Sequence, residues 1–214
     1  MTGHLPREPG KGAFEGRAAI ERLASAYQDH CYGQLFYALA RALRPSSCVE
    51  LGVYRGFSLL ATAAALRDNG GGSIEGFDLF DEYPYRHETF ANASRNLRDC
   101  GLAAHARIHK ADALEVHKRF AAVDWLHVDL SNDGDTYRRI FAEWAPKVRR
   151  VMLLEGGSPE RDRVQWMTQF GKAPIVPALA EIERGHPQWK LAVLAPFPSV
   201  TVALRVQALD ARMP

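Results

Sequence analysis

Val49-Glu50-Leu51-Gly52-Val53-Tyr54-Arg55-Gly56-Phe57-Ser58 carries a short apolar run through two glycines and into an apolar, alanine-rich segment. Cys48 to Leu51 reads as a buried strand, and Phe57 to Arg67 as a helix closed by the glycine run Gly70 to Gly72. A strand that turns at glycine into a helix is the opening unit of an α/β sheet. Glycine reaches backbone conformations closed to other residues and lets the chain approach a ligand closely. The free N–H groups of the helix's first turn then favour an anionic group, a carboxylate or a phosphate. The spacing is G-x-x-x-G behind an acid. It is not the G-x-G-x-x-G of a dinucleotide turn, and the Lys-Ser/Thr of a phosphate-binding loop is missing, which disfavours a nicotinamide-dependent oxidoreductase. The plain alternative is a purely structural turn.

Outward from this turn the chain keeps an alternating beat. Ser73 to Asp78, His105 to Lys110, Trp125 to Asp129 and Val151 to Glu155 read as strands. His87 to Cys100, Ala113 to Phe120, Thr136 to Val148, Glu160 to Phe170 and Ile175 to Glu183 read as helices. Trp189 to Leu194 and Val200 to Val206 are two more extended runs, joined only by Ala195-Pro-Phe-Pro-Ser199, with no room for a crossover helix. The expectation is a Rossmann-like, doubly wound α/β fold: a mostly parallel seven-stranded sheet with one antiparallel strand near the C-terminus. Before it, Phe14 to Leu43 has apolar residues at helical spacing, one broken helix or two short ones, and Pro45 stops it. The domain expectation is a helical extension or cap over residues 1–43, the main domain over 44–206 and a tail over 207–214.

Composition narrows the function classes. The 214 residues suit one large domain. Basic and acidic side chains number 27 and 25 and are mixed along the chain, so no footprint for nucleic acid stands out. Cys31, Cys48 and Cys100 are scattered and form no C-x-x-C, which fits neither a disulfide framework nor a zinc site. With no apolar leader and no membrane-length run, a cytoplasmic location without membrane contact is expected.

In an open parallel sheet, ligands bind beyond the carboxyl ends of the strands. The residues there are polar: Glu50 and Gly52, Asp78, Asp112, Asp129 and Glu155. Asp78 ends the second strand, where an acid can accept both hydroxyls of a ribose; a turn or cap before Pro84 is the alternative. Asp112 could equally be a helix N-cap, and Phe80 a core aromatic.

Four stretches, Val49-Glu-Leu-Gly-Val-Tyr-Arg-Gly56, Gly76-Phe-Asp-Leu-Phe80, Lys110-Ala-Asp-Ala113 and Leu126-His-Val-Asp129, together resemble class I S-adenosylmethionine (SAM)-dependent methyltransferases. Within that class the chain looks like the macrocin O-methyltransferase group and its small-molecule relatives, over roughly residues 44 to 206. The resemblance implies that Glu50, Gly52 and Gly56 line the methionine end of S-adenosyl-L-methionine, with Ser58 on its carboxylate and Tyr54 also among the cofactor-binding residues. It implies further that Asp78 holds the ribose, that Leu79 and Phe80 flank adenine, and that Asp112 and Ala113 meet the adenine edge.

Asp129, Asp133 and Asp135 crowd carboxylates beside the expected transfer point, and Glu155 ends the adjacent strand. Crowded acids bind a hard cation or raise one another's pKa. The resemblance implies a magnesium ion (Mg2+) on Asp129 and Glu155, although Glu155-Gly-Gly stands where relatives often carry an acidic pair or His-Asp. The alternative is a turn at Asn132-Asp-Gly with Asp135 capping the next helix. Asp129, His127 and Asp135 are the candidate catalytic groups, with a satisfied core histidine as the other reading of His127. Tyr27, Tyr32, Tyr37, Tyr54, Tyr83, Tyr85 and Trp166 are candidates for an acceptor pocket beneath the helical cap. Pro159 to Met167 reads otherwise as an amphipathic surface helix with solvated ion pairs. The implied activity is methyl transfer to a hydroxyl of a small molecule, a natural product or sugar. N-methyl transfer and a non-catalytic binding or assembly module stay open. The partners expected are a small-molecule acceptor and further copies of the chain in a homo-oligomer.

Overall fold

The computed structural model of the protein describes residues 17–84, 88–130 and 132–206. Strands β1 (Ser47–Leu51), β2 (Ser73–Asp78), β3 (Ala106–Lys110), β4 (Val123–Val128), β5 (Val148–Glu155), β6 (Trp189–Leu194) and β7 (Val200–Arg205) form one sheet in the order β3-β2-β1-β4-β5-β7-β6. β1 to β5 pair in parallel, and β7 enters antiparallel between β5 and β6. The expected doubly wound sheet with one reversed strand is therefore present. Its order changes direction at β1 and β4, and a crevice opens at such a point beyond the strand ends.

The central strands read as continuous apolar runs because both faces are covered. Cys48, Trp125 and Val151 face one layer, built from α2 (Tyr32–Leu43) and α3 (Phe57–Asp68), while Val49, Leu51, Leu126 and Met152 face α5 (Gly134–Trp144) and α7 (Ile175–Gly185). α3 is buried along nearly its whole length, since the sheet lies under it and α2 lies over it. Its alanines suit that sandwiched position, and Gly33 of α2 meets the Phe57 ring so closely that a Cβ there would lie 2.8 Å from Cζ.

Ahead of the sheet, a short α1 (Arg17–Glu21) and a single 3-10 turn at Ala26–His30 lead into α2, so the predicted cap is a broken helix. It is tied to the far end of the sheet by the Tyr32 hydroxyl, which donates toward the carbonyls of Leu194 and Pro196 at 3.0 and 3.1 Å. The predicted residues 1–16, His87, Tyr85 and the tail 207–214 lie outside the described residues. Among those described, no helix is long and apolar enough to cross a membrane.

Two predicted helices are corrected. Ala113 to Phe120 contains only a 3-10 turn, Val116–Arg119, because Phe120 turns extended and drives its ring between Phe77 and Trp144. Glu160 to Phe170 breaks at an extended Val164 into a 3-10 turn (Arg161–Arg163) and α6 (Gln165–Gln169). α4 (Phe90–Asp99) begins at Thr89, whose hydroxyl accepts from Asn92 N–H. The break at Val164 has a tertiary cause: Asp162 accepts from the N–H groups of Ile175 and Val176, which open α7, and Arg161 turns inward.

Candidate active site

The register of β1 on β4 sets Glu50 beside His127. Glu50 is fully buried, and both of its carboxylate oxygens are taken by the chain: Ser58 Oγ donates to Oε1 at 3.0 Å, and His127 Nδ1 lies 3.0 Å from Oε2. Burial disfavours a charged imidazole, but the Glu50 carboxylate outweighs it, with Asp129 and Glu155 adding, and holds the His127 pKa above its ordinary value. The other ring nitrogen is 3.4 Å from the Tyr27 hydroxyl. Burial first, and then the charges of Asp129 and Glu155, push the Tyr27 pKa far up, so this phenol stays a donor. Glu50, Ser58 and His127, predicted in separate roles, thus form one buried chain of hydrogen bonds that ends on Tyr27.

The glycine turn is held by Asp78. Its Oδ2 accepts from Val53 and Tyr54 N–H at 2.8 and 2.9 Å, and its Oδ1 from Phe80 N–H at 2.8 Å. Tyr54 and Phe80 sit at φ of 51° and 49°, left-handed conformations that cost a non-glycine residue roughly 1–3 kcal/mol, so one carboxylate stabilises both strained backbones. Leu79 is half-buried beside them. The Phe80 ring is buried against Phe90, 5.6 Å between centroids, and the Tyr54 ring is exposed beneath the Arg55 guanidinium. Phe80 therefore joins the core instead of presenting its face at the rim. Gly56 opens α3 without a side-chain cap. Asp112 caps a local turn by accepting from Leu114 N–H at 3.0 Å, and Ala113 is buried next to it.

Of the three aspartates after β4, only Asp129 joins the cluster. Asp133 caps α5, accepting from Thr136 N–H at 2.8 Å, and pairs with Lys172 at 3.1 Å. Asp135 is 79% exposed and pairs with Arg138 one turn on, at 2.8 Å. Asp129 is different. Burial, then the Glu155 charge, raise its pKa to about 7, with His127 opposing.

Glu155 is claimed by groups that the sequence did not single out. Arg161 donates from Nε to Oε1 at 2.8 Å and from Nη2 to Oε2 at 3.0 Å, and Asn132 Nδ2 donates to Oε2 at 3.2 Å. The Tyr137 hydroxyl donates to the Glu155 carbonyl. Arg161 lies 4.8 Å over the Trp166 ring. This donor set does not fit the expected Mg2+. A hard cation needs carboxylate oxygens directed at it, and both Glu155 oxygens already face a positive guanidinium. No group of three or more His, Cys, Asp or Glu among the described residues is placed to hold a metal. Tyr27 and Trp166 stood among the aromatic candidates for the acceptor pocket. Arg161 gave no signal, because a buried arginine and a solvated one look alike in a helical pattern.

Residues 49–154 match the profile of a family described as a methyltransferase domain. Among curated proteins none matches the sequence. Solved structures share the fold. The O-methyltransferase from Bacillus cereus in complex with S-adenosylhomocysteine (SAH) superposes with a TM-score of 0.68 at 14% identity, covering 88% of this chain and 90% of that one. The O-methyltransferase TomG from Streptomyces achromogenes, involved in tomaymycin synthesis and solved with SAM, gives 0.62 at 17% identity over 94% and 92%. The SAH-bound methyltransferase PaMTH1 from Podospora anserina gives 0.62 at 17% over 94% and 98%.

Proposed function

We propose, on the premise that residues 49–154 form a SAM-dependent methyltransferase domain of class I architecture, that this chain methylates a hydroxyl oxygen of a small molecule with Asp129 as the base. The observation that carries this reading is the position and ionisation of Asp129. It follows β4, its backbone packs on Gly52 of the first turn, and its pKa of about 7 matches a base working near neutrality. When bound, SAM supplies a methyl group already activated on a sulfonium. The chain's own tasks are to align the acceptor, exclude water and remove a proton. The acceptor hydroxyl gives its proton to the Asp129 carboxylate, while the Tyr27 hydroxyl nearby is held by His127, itself fixed by Glu50. Asp129 is only half-buried, so the proton can pass on to solvent.

Two features of the turn suit the cofactor. A carboxylate offers about four acceptor sites, so Asp78 keeps capacity for a ribose hydroxyl after taking three backbone N–H groups. The uncapped start of α3 offers its N–H groups to the cofactor's carboxylate. Calorimetric titration tests the assignment. The protein is expected to bind SAH and not NAD, and Asp78→Ala is expected to weaken SAH binding by about 1–3 kcal/mol, roughly 5- to 150-fold. Binding of NAD in place of SAH would reverse the cofactor class, and an unchanged dissociation constant in a folded Asp78→Ala would take Asp78 out of the site.

A further inference from the structure

We propose that Arg161 is the resident cation of this acceptor site, standing on Glu155 where a divalent metal would otherwise stand, so that methyl transfer by this chain needs no metal. The inference deepens the proposed function and rests on it. Both Glu155 oxygens are satisfied by parallel N–H groups of one guanidinium at 2.8 and 3.0 Å. This two-pronged geometry is the tightest an arginine makes with a carboxylate, and the arginine charge is permanent.

The guanidinium is built in and could not drift there from the surface. Its side chain is 6% exposed, one face covers Trp166, and Nη2 also reaches the Asn132 carbonyl at 3.4 Å. Room for it comes from the residue after Glu155. Gly156 has φ of 97°, and a Cβ there would lie 2.9 Å from Arg161 Cγ and 3.1 Å from Ile175 Cδ1. Any side chain at position 156 would push the arginine stem out. The missing second acid after β5 and the inward arginine are therefore one arrangement: the glycine that removes a metal ligand also admits the cation that replaces the metal.

Arg161 Nη1 is buried and has no hydrogen-bond partner among the described residues. A buried N–H left unpaired is costly, and an oxygen of the bound acceptor is a partner of the right chemistry. Arg161 thus keeps the orienting part of a metal's role and leaves proton removal to Asp129.

Titration of Mn(II) into the full chain, with free ion followed by electron paramagnetic resonance in the presence of SAH, tests this. The wild type is expected to take up none in the millimolar range. Arg161→Gln, which frees Glu155, is expected to take up one ion per chain, and Arg161→Lys, which keeps the charge, none. A merely structural arginine would not give that order. Stoichiometric uptake by the wild type, or none by an SAH-binding Arg161→Gln, overturns the proposal, and the wild-type titration decides alone if Arg161→Gln does not fold. Failure to bind SAH would count against the methyltransferase reading instead, which keeps the two separable.

Discussion

Asp129→Asn is expected to stop methyl transfer and, above neutral pH, to make the protein more stable. The amide keeps the shape of the carboxylate, but it cannot take the acceptor's proton, and loss of a general base lowers turnover about 100- to 10,000-fold. The stability effect follows from the same burial that tunes the group. In the folded chain the Asp129 pKa is raised from 3.8 to about 7, so between those values the native state binds more protons than the unfolded state. Native stability therefore falls as pH rises through this window, and the whole penalty is present above it. Because the group is only half-buried and shares its titration with its neighbours, we expect about 2 kcal/mol to be recovered in the variant. His127 acts in the same direction. Its raised pKa contributes stability below the unfolded value of 6.5 that is lost as pH rises through the folded one. The gap between the melting temperatures of wild type and variant should accordingly open as pH rises from 3.8 to about 7, stay constant above that and close on the acid side. A gap independent of pH would show that Asp129 titrates normally, and wild-type turnover in the variant would remove it as the base.

The part of this site that was legible in the sequence is the part fixed by strand ends. Five parallel strands that end in Leu51, Asp78, Lys110, Val128 and Glu155 place their last and following residues on one rim, and topology alone brings those residues together. Glu50 and His127 could have been paired by aligning the carboxyl ends of β1 and β4, since each stands one residue before the end of its strand, Leu51 and Val128. What lay hidden depends on contacts that no local pattern encodes. Arg161 and Asp162 are adjacent in a charged stretch, yet one is drawn to Glu155 and the other to the start of α7, which splits a helix that periodicity would continue. Tyr27 reaches His127 only because the helical segment ahead of β1 packs on the sheet, a long-range packing choice. The acids of Asp133 and Asp135 illustrate the converse error. Nearness in sequence to a transfer point is not nearness in space once a helix starts between them.

Gly52→Ala is expected to cost more than about 3 kcal/mol and to abolish SAH binding, because two separate penalties meet at this residue. The first is conformational: Gly52 has φ of 86°, where a Cβ costs roughly 1–2 kcal/mol. The second is steric. A Cβ on Gly52 would lie 1.8 Å from the Asp129 carbonyl oxygen and 2.6 Å from its carbon, and backbone atoms of an adjacent strand cannot swing aside as a side chain can. Relief would require β1 and β4 to part at the rim, breaking the bond from Asp129 N–H to Leu51 at 2.8 Å. That bond holds the first turn against Asp129, so the same movement would separate the two halves of the proposed site. Gly70→Ala isolates the first penalty: its φ is 79° and a Cβ there meets nothing within 4 Å. In urea denaturation the Gly70 variant should lose about 1 kcal/mol with SAH affinity intact. Equal losses at the two positions would mean that Gly52 answers only a backbone requirement, and the close approach of turn and aspartate on which the proposed chemistry depends would have to be given up.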